Sequence, residues 1–333
     1  MGTSKKLNRS QLVTLEKERT VRIYFMNRLR FHQSSYAADF TAEGEDAADF
    51  LQSQFSNQLG PFTPGRCTYG LWLDAKGKVQ ADAWVLQTAE ESFRILSEHT
   101  KEEALRAHLE RHIVADEVEM ETSRASIHTL TLIGASATEQ VRALGFPVPE
   151  DGYFTRGEGV ILFCGRRSDL PNYEIIFAEA EADAVTVAKE QLEQAGAKAA
   201  TTSWMEAQRI AFGVPKVPQE IGPEDLPGEA ALVGHAVRLD KGCFLGQEVV
   251  ARMHNVGRAR RGLFRVSGSG EPPQVPAQLV TEDRSVAGTL RSAFSLDAGW
   301  EGVALLKLHR VEEDTVLTLE NNSVQILARM EPR

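Results

Sequence analysis

The sequence predicts an α+β fold followed by a separate all-β domain. Residues 20–134 alternate strand-like and helix-like segments in an otherwise antiparallel pattern, and the alternation partly repeats over residues 159–196. After residue 260, only strand-like segments occur, which is typical of a small barrel or sandwich. Because 333 residues exceed one compact core, we expect several units. They are a mobile polar lead at 1–19, an α+β region at 20–256 and a β-domain at 257–333.

Composition and period predict the elements of the first half. β-branched and aromatic residues indicate strands, whereas apolar residues three or four positions apart, such as Ala47, Phe50 and Leu51, indicate helices. Two apolar runs flank Asp74-Ala75-Lys76-Gly77, which predicts a tight hairpin turn. The predicted elements are strand 20–29, helix 45–55, hairpin 67–86, strand 92–97, helix 100–114 and strand 124–134.

The same criteria predict the second half. Residues 214–235 are rich in proline and acidic residues without a period, so we expect an extended connection there. The predicted elements are strands 159–165 and 172–178, helices 181–196 and 202–213, a short helix after Gly246, and barrel strands at 262–268, 278–290, 302–309, 314–319 and 323–329.

Charge and cysteine content exclude several classes of function. The formal charge of −10 disfavours direct binding to nucleic acid or to an anionic membrane, and no apolar run is long enough to span a bilayer. The three cysteines are far apart, and His108 and His112 lack the H-E-x-x-H pattern, so we expect no stably bound metal. We expect a monomer in a reducing compartment, the cytoplasm, or the mitochondrial matrix in a eukaryote.

The segment 238–252, RLDKGCFLGQEVVAR, places a cysteine in a polar, glycine-rich setting. A thiol beside Lys241 and ahead of a helix that begins near Gly246 would favour its reactive thiolate form. The residues alone leave a second interpretation open, in which Cys243 is incidental in a glycine turn that enters a helix.

This segment resembles the K-G-C-[FY]-x-G-Q-E-x-x-x-R signature of the YgfZ family, with all eight defined positions present. YgfZ proteins bind tetrahydrofolate, support iron–sulphur proteins and are related to the glycine-cleavage aminomethyltransferase. The resemblance implies two interleaved α+β modules and a C-terminal β-barrel around a central pocket. It also implies that Cys243 carries the function. The implied loop residues are Lys241, Gly242, Phe244, Gly246, Gln247, Glu248 and Arg252.

The resemblance extends to the hairpin, where Asp82 matches an acidic residue that aminomethyltransferases place near the reactive nitrogens of folate. Asp82 could act as a general base or electrostatic anchor, or could be a surface residue of the hairpin. Leu170 stands where the aminomethyltransferases carry the Glu that holds the pterin, and those enzymes lack the K-G-C loop. We therefore expect a folate-binding accessory protein, with folate-dependent aminomethyl transfer as the alternative.

A reduced folate would need flat apolar walls and a few fixed polar groups. Trp72, Trp84 and Phe244 are candidates for the walls, although the commoner role of such residues is in the core. Arg258, with its neighbours Arg260 and Arg261, could contact the glutamate tail or belong to a solvated linker. One cysteine cannot cage an iron–sulphur cluster, so if Cys243 contacts one, a client or assembly protein or a second subunit must supply the other ligands. Redox or thiol-exchange chemistry at this loop is the alternative.

Overall fold

The computed structural model describes residues 29–123, 127–257, 259–312 and 315–331. The predicted lead at 1–19 and nearly all of the predicted strand at 20–29 lie outside these ranges, as does Arg258. Two sheets and a closed barrel make up the fold.

The first module is a five-stranded sheet whose order is β3-β4-β5-β2-β6, with two helices packed on one face. Phe40, Phe93, Ile95 and Leu105 lie in the core between the sheet and the helices. The elements are β2 (Ala38–Glu43), α1 (Ala47–Gln54), β3 (Cys67–Leu73), β4 (Val79–Ala89), β5 (Ser92–Ser97), α2 (Glu102–Glu110) and β6 (Glu119–Thr122).

The second module is a six-stranded sheet whose order is β11-β1-β7-β10-β9-β8. Its first strand precedes the whole first sheet in the chain, so the two modules are interleaved as predicted. The elements are β1 (Arg30–Ser34), β7 (Ile127–Ile133), α3 (Ala137–Ala143), β8 (Phe154–Gly157), β9 (Val160–Cys164), β10 (Asn172–Ala178), α4 (Ala182–Gln194) and β11 (Lys198–Ala199).

The last part of the chain forms the barrel, closed in the order β12-β15-β14-β13-β16-β17. Val266, Leu290, Leu306 and Leu317 pack in its interior. The division at residue 257 remains a prediction. The elements are α5 (Thr202–Ala211), α6 (Gln247–Asn255), β12 (Arg261–Gly268), β13 (Ala277–Val280), β14 (Val286–Leu296), β15 (Gly299–Lys307), β16 (Val316–Leu319) and β17 (Asn322–Arg329).

Six short elements were not predicted from the sequence. They are the strands β1, β2, β6, β8 and β11 and helix α3, which have between two and seven residues each. Elements this short carry little periodicity, and their apolar residues become informative only when the neighbouring strand is known.

The connection between α5 and α6 is mostly irregular, with one short 3-10 turn at Pro227–Ala230, but it is not solvated. Glu220 and Asp225 are buried, and both bind arginines that come from other segments of the chain. The guanidinium of Arg261 lies 3.0 Å from Asp225 and 2.7 Å from Glu229, which ties the start of the barrel to the connection. This arrangement corrects the expectation that Arg261 belongs to a free basic cluster.

Candidate functional site

The hairpin β3–β4 presents different side chains to its two faces. Successive residues of a strand point to opposite sides, so Ala81, Ala83 and Val85 join the helix-side core. Asp82 and Trp84 point to the other face, where the second sheet packs. Tyr69 on β3 pairs directly with Trp84, so it shares this face.

A cavity of about 470 Å³ lies on that face, between the two sheets. The indole of Trp84 packs on the rings of Phe163 and Tyr69, at centroid distances of 5.0 and 5.4 Å. Aromatic and polar side chains therefore share the wall of the cavity. The aromatic residues are Tyr69, Trp84, Tyr153, Phe163 and Phe212, and the polar residues are Asn57, Asp151, Arg166, Ser168, Asp169 and His235.

Arg166 places a positive charge at this cavity. Its guanidinium carbon lies 3.7 Å from the centroid of the Tyr69 ring, a cation–π contact. No carboxylate within the described ranges forms an ion pair with Arg166, whereas its neighbour Arg167 bonds both Glu98 and Glu174 at 2.7 Å. Arg166 is thus the arginine of this pair that a ligand could use.

Asp82 lies in a small recess that shares Tyr69, Trp84 and Arg166 with the cavity. The Tyr69 hydroxyl donates to Asp82 Oδ2 at 2.7 Å, and Oδ1 is buried without a hydrogen-bond partner in the described part of the chain. Burial raises the pKa of Asp82 to about 6, against the opposing effects of the Tyr69 hydrogen bond and the Arg166 charge. Asp82 therefore offers one fixed oxygen and one free oxygen to a ligand.

The loop that carries Cys243 is bound to the C-terminal end of α1. Lys241 Nζ donates to the carbonyls of Gln52 and Phe55, which the helix leaves without intrahelical partners. On the other side of the cysteine, the Leu245 amide donates to the Ser53 carbonyl at 3.0 Å. Cys243 lies between these two anchors with its side chain exposed.

Lys241 has a different role from the one its sequence position suggests. Its ammonium is bound to the end of α1 and lies 5.2 Å from the Phe244 ring centroid. Burial lowers the pKa of Lys241 to about 8, while the two carbonyl acceptors stabilise its charged form. The residue fixes the loop in place.

The two glycine motifs predicted from the sequence meet in the structure. Gly246 has φ +81°, in the left-handed region, and begins α6. A Cβ there would overlap the carbonyl oxygen of Asp74 and lie 2.9 Å from Gly77 Cα, so only glycine allows the hairpin turn to pack on the loop. Gln247 supports the loop from within, because its side-chain amide donates to the Leu239 carbonyl at 3.1 Å.

The remaining predicted site residues separate into two groups. Trp72 and Phe244 are buried in cores and do not line the cavity, so the structure does not support them as folate walls. Glu248 and Arg252 are exposed on α6, and Gly242 is exposed in the loop with φ +98°. Cys243 does not line the cavity either.

The cavity and the thiol nevertheless share one loop. His235 lines the cavity and lies eight residues before Cys243. Between them, the Arg238 amide donates to the Ser56 carbonyl at 2.9 Å, and Asn57 from the same region reaches the cavity. Residues 52–58 therefore contact both the cavity and the loop that carries Cys243.

Sequence reasoning missed Tyr69, Tyr153 and Arg166. Tyr69 could have been found, because strand parity places it on the face of Trp84 once the hairpin register is fixed at its turn. Arg166 lies just after the end of β9, and Tyr153 lies just before β8. Residues outside helices and strands carry no periodic signal, so the sequence pattern could not place these two at a cavity. Among the described residues, no group of three His, Cys, Asp or Glu side chains is placed to hold a metal ion.

Comparisons with known proteins agree with this architecture. Residues 28–151 match a model of the GCVT N-terminal domain, and residues 260–329 match a model of the CAF17 C-terminal beta-barrel domain. The structure is similar to a crystal structure of the glycine cleavage system aminomethyltransferase T from Bartonella henselae, with a TM-score of 0.76 over 92% of this chain and 88% of that one at 16% identity. That likeness confirms the predicted fold. In the described ranges, no helix has the length and apolar character needed to cross a membrane.

Curated sequences of two related kinds are similar to this chain. The chain is 24% identical to the "tRNA-modifying protein YgfZ" of Vibrio vulnificus (strain YJ016) over 296 residues, which cover 87% of each chain. An "Aminomethyltransferase" of Anoxybacillus flavithermus is 27% identical over 250 residues, which cover 68% of this chain and 65% of that one. With both domain models and the complete K-G-C signature, these matches support the predicted resemblance to the YgfZ family and to the related glycine-cleavage aminomethyltransferases.

Proposed function

We propose that the protein binds a reduced folate in the cavity between its two sheets and uses the Cys243 thiol to support assembly or repair of iron–sulphur proteins. The observation that carries the proposal is the presentation of Cys243. An exposed thiol is anchored on both sides to the end of α1, in the segment whose earlier residue His235 lines the cavity.

The cavity has the properties that a folate requires. Its volume of about 470 Å³ lies within the range of small-molecule sites, and Trp84 and Tyr69 supply flat walls for a pterin. The unpartnered Oδ1 of Asp82 can accept from the ring or amine N–H groups of such a ligand. Arg166 is available for a carboxylate.

The thiol can supply one ligand to an iron–sulphur cluster or to an iron atom in transit. Because a cluster needs four ligands, the client or assembly protein must supply the others. An exposed side chain between two backbone anchors suits this role, since a partner can reach the sulphur without unfolding the loop.

The curated relatives carry the name tRNA-modifying protein. We propose that this chain contributes to tRNA modification indirectly, by supporting an iron–sulphur protein that modifies tRNA. Its formal charge of −10 argues against a large phosphate-binding surface of its own.

The test of the thiol is complementation in cells that lack the protein. Cys243→Ala should keep the melting temperature and folate response of the native protein, yet fail to restore the activity of iron–sulphur enzymes. Cys164→Ala is the matched control, because that thiol lines the cavity and should be dispensable for client support. Full complementation by Cys243→Ala would show that the proposed role of the thiol is wrong.

The test of the ligand is a thermal shift with a series of reduced folates. A ligand at one hundred times its Kd stabilises the native state by about 2.7 kcal/mol, which raises the melting temperature measurably. Trp84→Ala should abolish the ligand-induced shift. Trp72→Leu should lower the starting melting temperature but keep the shift, because Trp72 lies on the helix side of the sheet. No shift with any reduced folate would exclude the proposed cofactor.

Folate-dependent aminomethyl transfer is less well supported. Asp82 has a suitable position, but Leu170 occupies the place of the pterin-binding Glu. Turnover of 5,10-methylene-tetrahydrofolate with an amine donor, lost in Asp82→Asn and kept in Cys243→Ala, would establish this activity instead.

A further inference from the structure

Helix α6 carries an apolar stripe that does not face the core. Val250 is buried against the hairpin, whereas Val249, Met253 and Val256 follow each other at intervals of four and three residues. This spacing places them on one side of the helix, and the side chain of Val256 is 86% exposed. A valine so exposed at the end of an apolar stripe is a feature of interaction surfaces.

Two concavities meet at Met253 of the stripe. An open groove of about 470 Å³ is lined by Val249, Arg252, Met253, Val256 and Arg260. A smaller pocket of about 270 Å³ lies on the other side of Met253, with Pro227 and Val233 among its walls. Met253 lines both, and its flexible thioether can adapt to an inserted side chain. The small pocket has room for one bulky apolar side chain.

The charge around the groove favours an acidic occupant. Arg252 and Arg260 are exposed, and neither forms an ion pair with a carboxylate in the part of the chain that the structure describes. Glu248 is the single acidic residue at the groove wall. Two uncompensated arginines on a protein with a formal charge of −10 make this surface locally complementary to carboxylates.

We propose that this surface, formed by Val249, Arg252, Met253, Val256 and Arg260, binds an acidic peptide segment of a partner protein. The segment inserts one aromatic or large aliphatic side chain beside Met253, and its carboxylates pair with the two arginines. The inference rests on the proposed function for the identity of the partner, which is the client protein that reaches Cys243. The nine residues of α6 span about 13 Å, so a segment bound here lies within about one helix length of the loop that carries the thiol.

The experiment is a selection of random peptides of about twelve residues against the full-length protein. The enriched sequences should combine net negative charge with one bulky apolar residue. The best peptide is then synthesised with a fluorophore, and its affinity is measured by anisotropy. Val256→Glu and Arg260→Glu should each weaken it about tenfold or more, because they remove apolar contact or reverse a contacting charge.

Matched control variants distinguish the loss of a contact at this surface from a general effect of added negative charge on peptide affinity. Val114 is 90% exposed far along the sequence from α6, and Arg142 is exposed on α3, so Val114→Glu and Arg142→Glu should change the affinity less than about twofold. Melting temperatures of all four variants check folding.

Three outcomes would overturn the inference: no enrichment of acidic peptides, equal binding by Val256→Glu, or binding of bulk tRNA that Arg260→Glu removes while the peptide does not bind. Cys243→Ala should bind the peptide normally. The thiol and the docking surface can therefore fail independently, since one is tested by cellular complementation and the other by peptide affinity.

Discussion

Replacing Gly246 with alanine should destabilise the contact between the hairpin turn and the thiol loop. Alanine at φ +81° costs about 1–2 kcal/mol, because its Cβ approaches the backbone in the left-handed region. The same Cβ would overlap the Asp74 carbonyl oxygen and crowd Gly77, both backbone atoms that cannot rotate away. Such overpacking costs about 1–3 kcal/mol, so the total is about 2–5 kcal/mol.

Gly196 provides a matched control for the conformational part. Its φ is +85°, and a Cβ there would meet no atom within 4 Å, so Gly196→Ala should cost about 1–2 kcal/mol alone. At roughly 2 °C per kcal/mol, Gly246→Ala should melt about 2–6 °C below Gly196→Ala in a thermal scan. Equal melting temperatures for the two variants would refute the proposed packing of hairpin on loop.

Two further predictions concern ionisable groups. Burial raises the pKa of Asp82 from 3.8 to about 6, so the folded protein keeps a proton that the unfolded chain loses between about pH 4 and 6. The free energy of unfolding should therefore fall by up to about 3 kcal/mol as pH rises through that window. Denaturant titrations at pH 4–8 should show that Asp82→Asn loses this part of the pH dependence. An unchanged pH profile in Asp82→Asn would contradict the raised pKa of Asp82. Lys241→Met should cost about 1–3 kcal/mol, because it leaves the carbonyls of Gln52 and Phe55 without their donor, and a thermal scan would show an unaltered melting temperature if the anchor were unimportant.

Much of the fold and part of the site could be predicted, because periodicity and turn residues act locally. The hairpin at 67–86, the helix after Gly246 and the all-strand end of the chain are all present in the structure. The assignment of Trp72 to a ligand wall fails for a reason that the sequence contains. Trp72 pairs with Ala81 and Tyr69 pairs with Trp84, so parity alone places the two tryptophans on opposite faces.

The buried acids of the connection illustrate what sequence alone could not provide. Composition predicted an extended connection at 214–235 and gave no sign of buried acids, yet Glu220 is fully buried and accepts from Arg209 and from Ser292 of the barrel. A buried carboxylate is stable only with its partners in place, and these partners lie 11 and 72 residues away in the chain. No local pattern identifies such an arrangement.

The hairpin β3–β4 connects the two halves of the proposed site, and this connection determines which substitutions are informative. Its strands carry Tyr69 and Trp84 to the cavity and Asp82 to the adjoining recess, while its turn packs against Gly246. A change in the hairpin backbone would therefore disturb the ligand wall and the thiol loop together. Ligand binding and thiol chemistry can be separated only by substituting a side chain that belongs to one site. Trp84 faces the cavity, and Cys243 faces solvent.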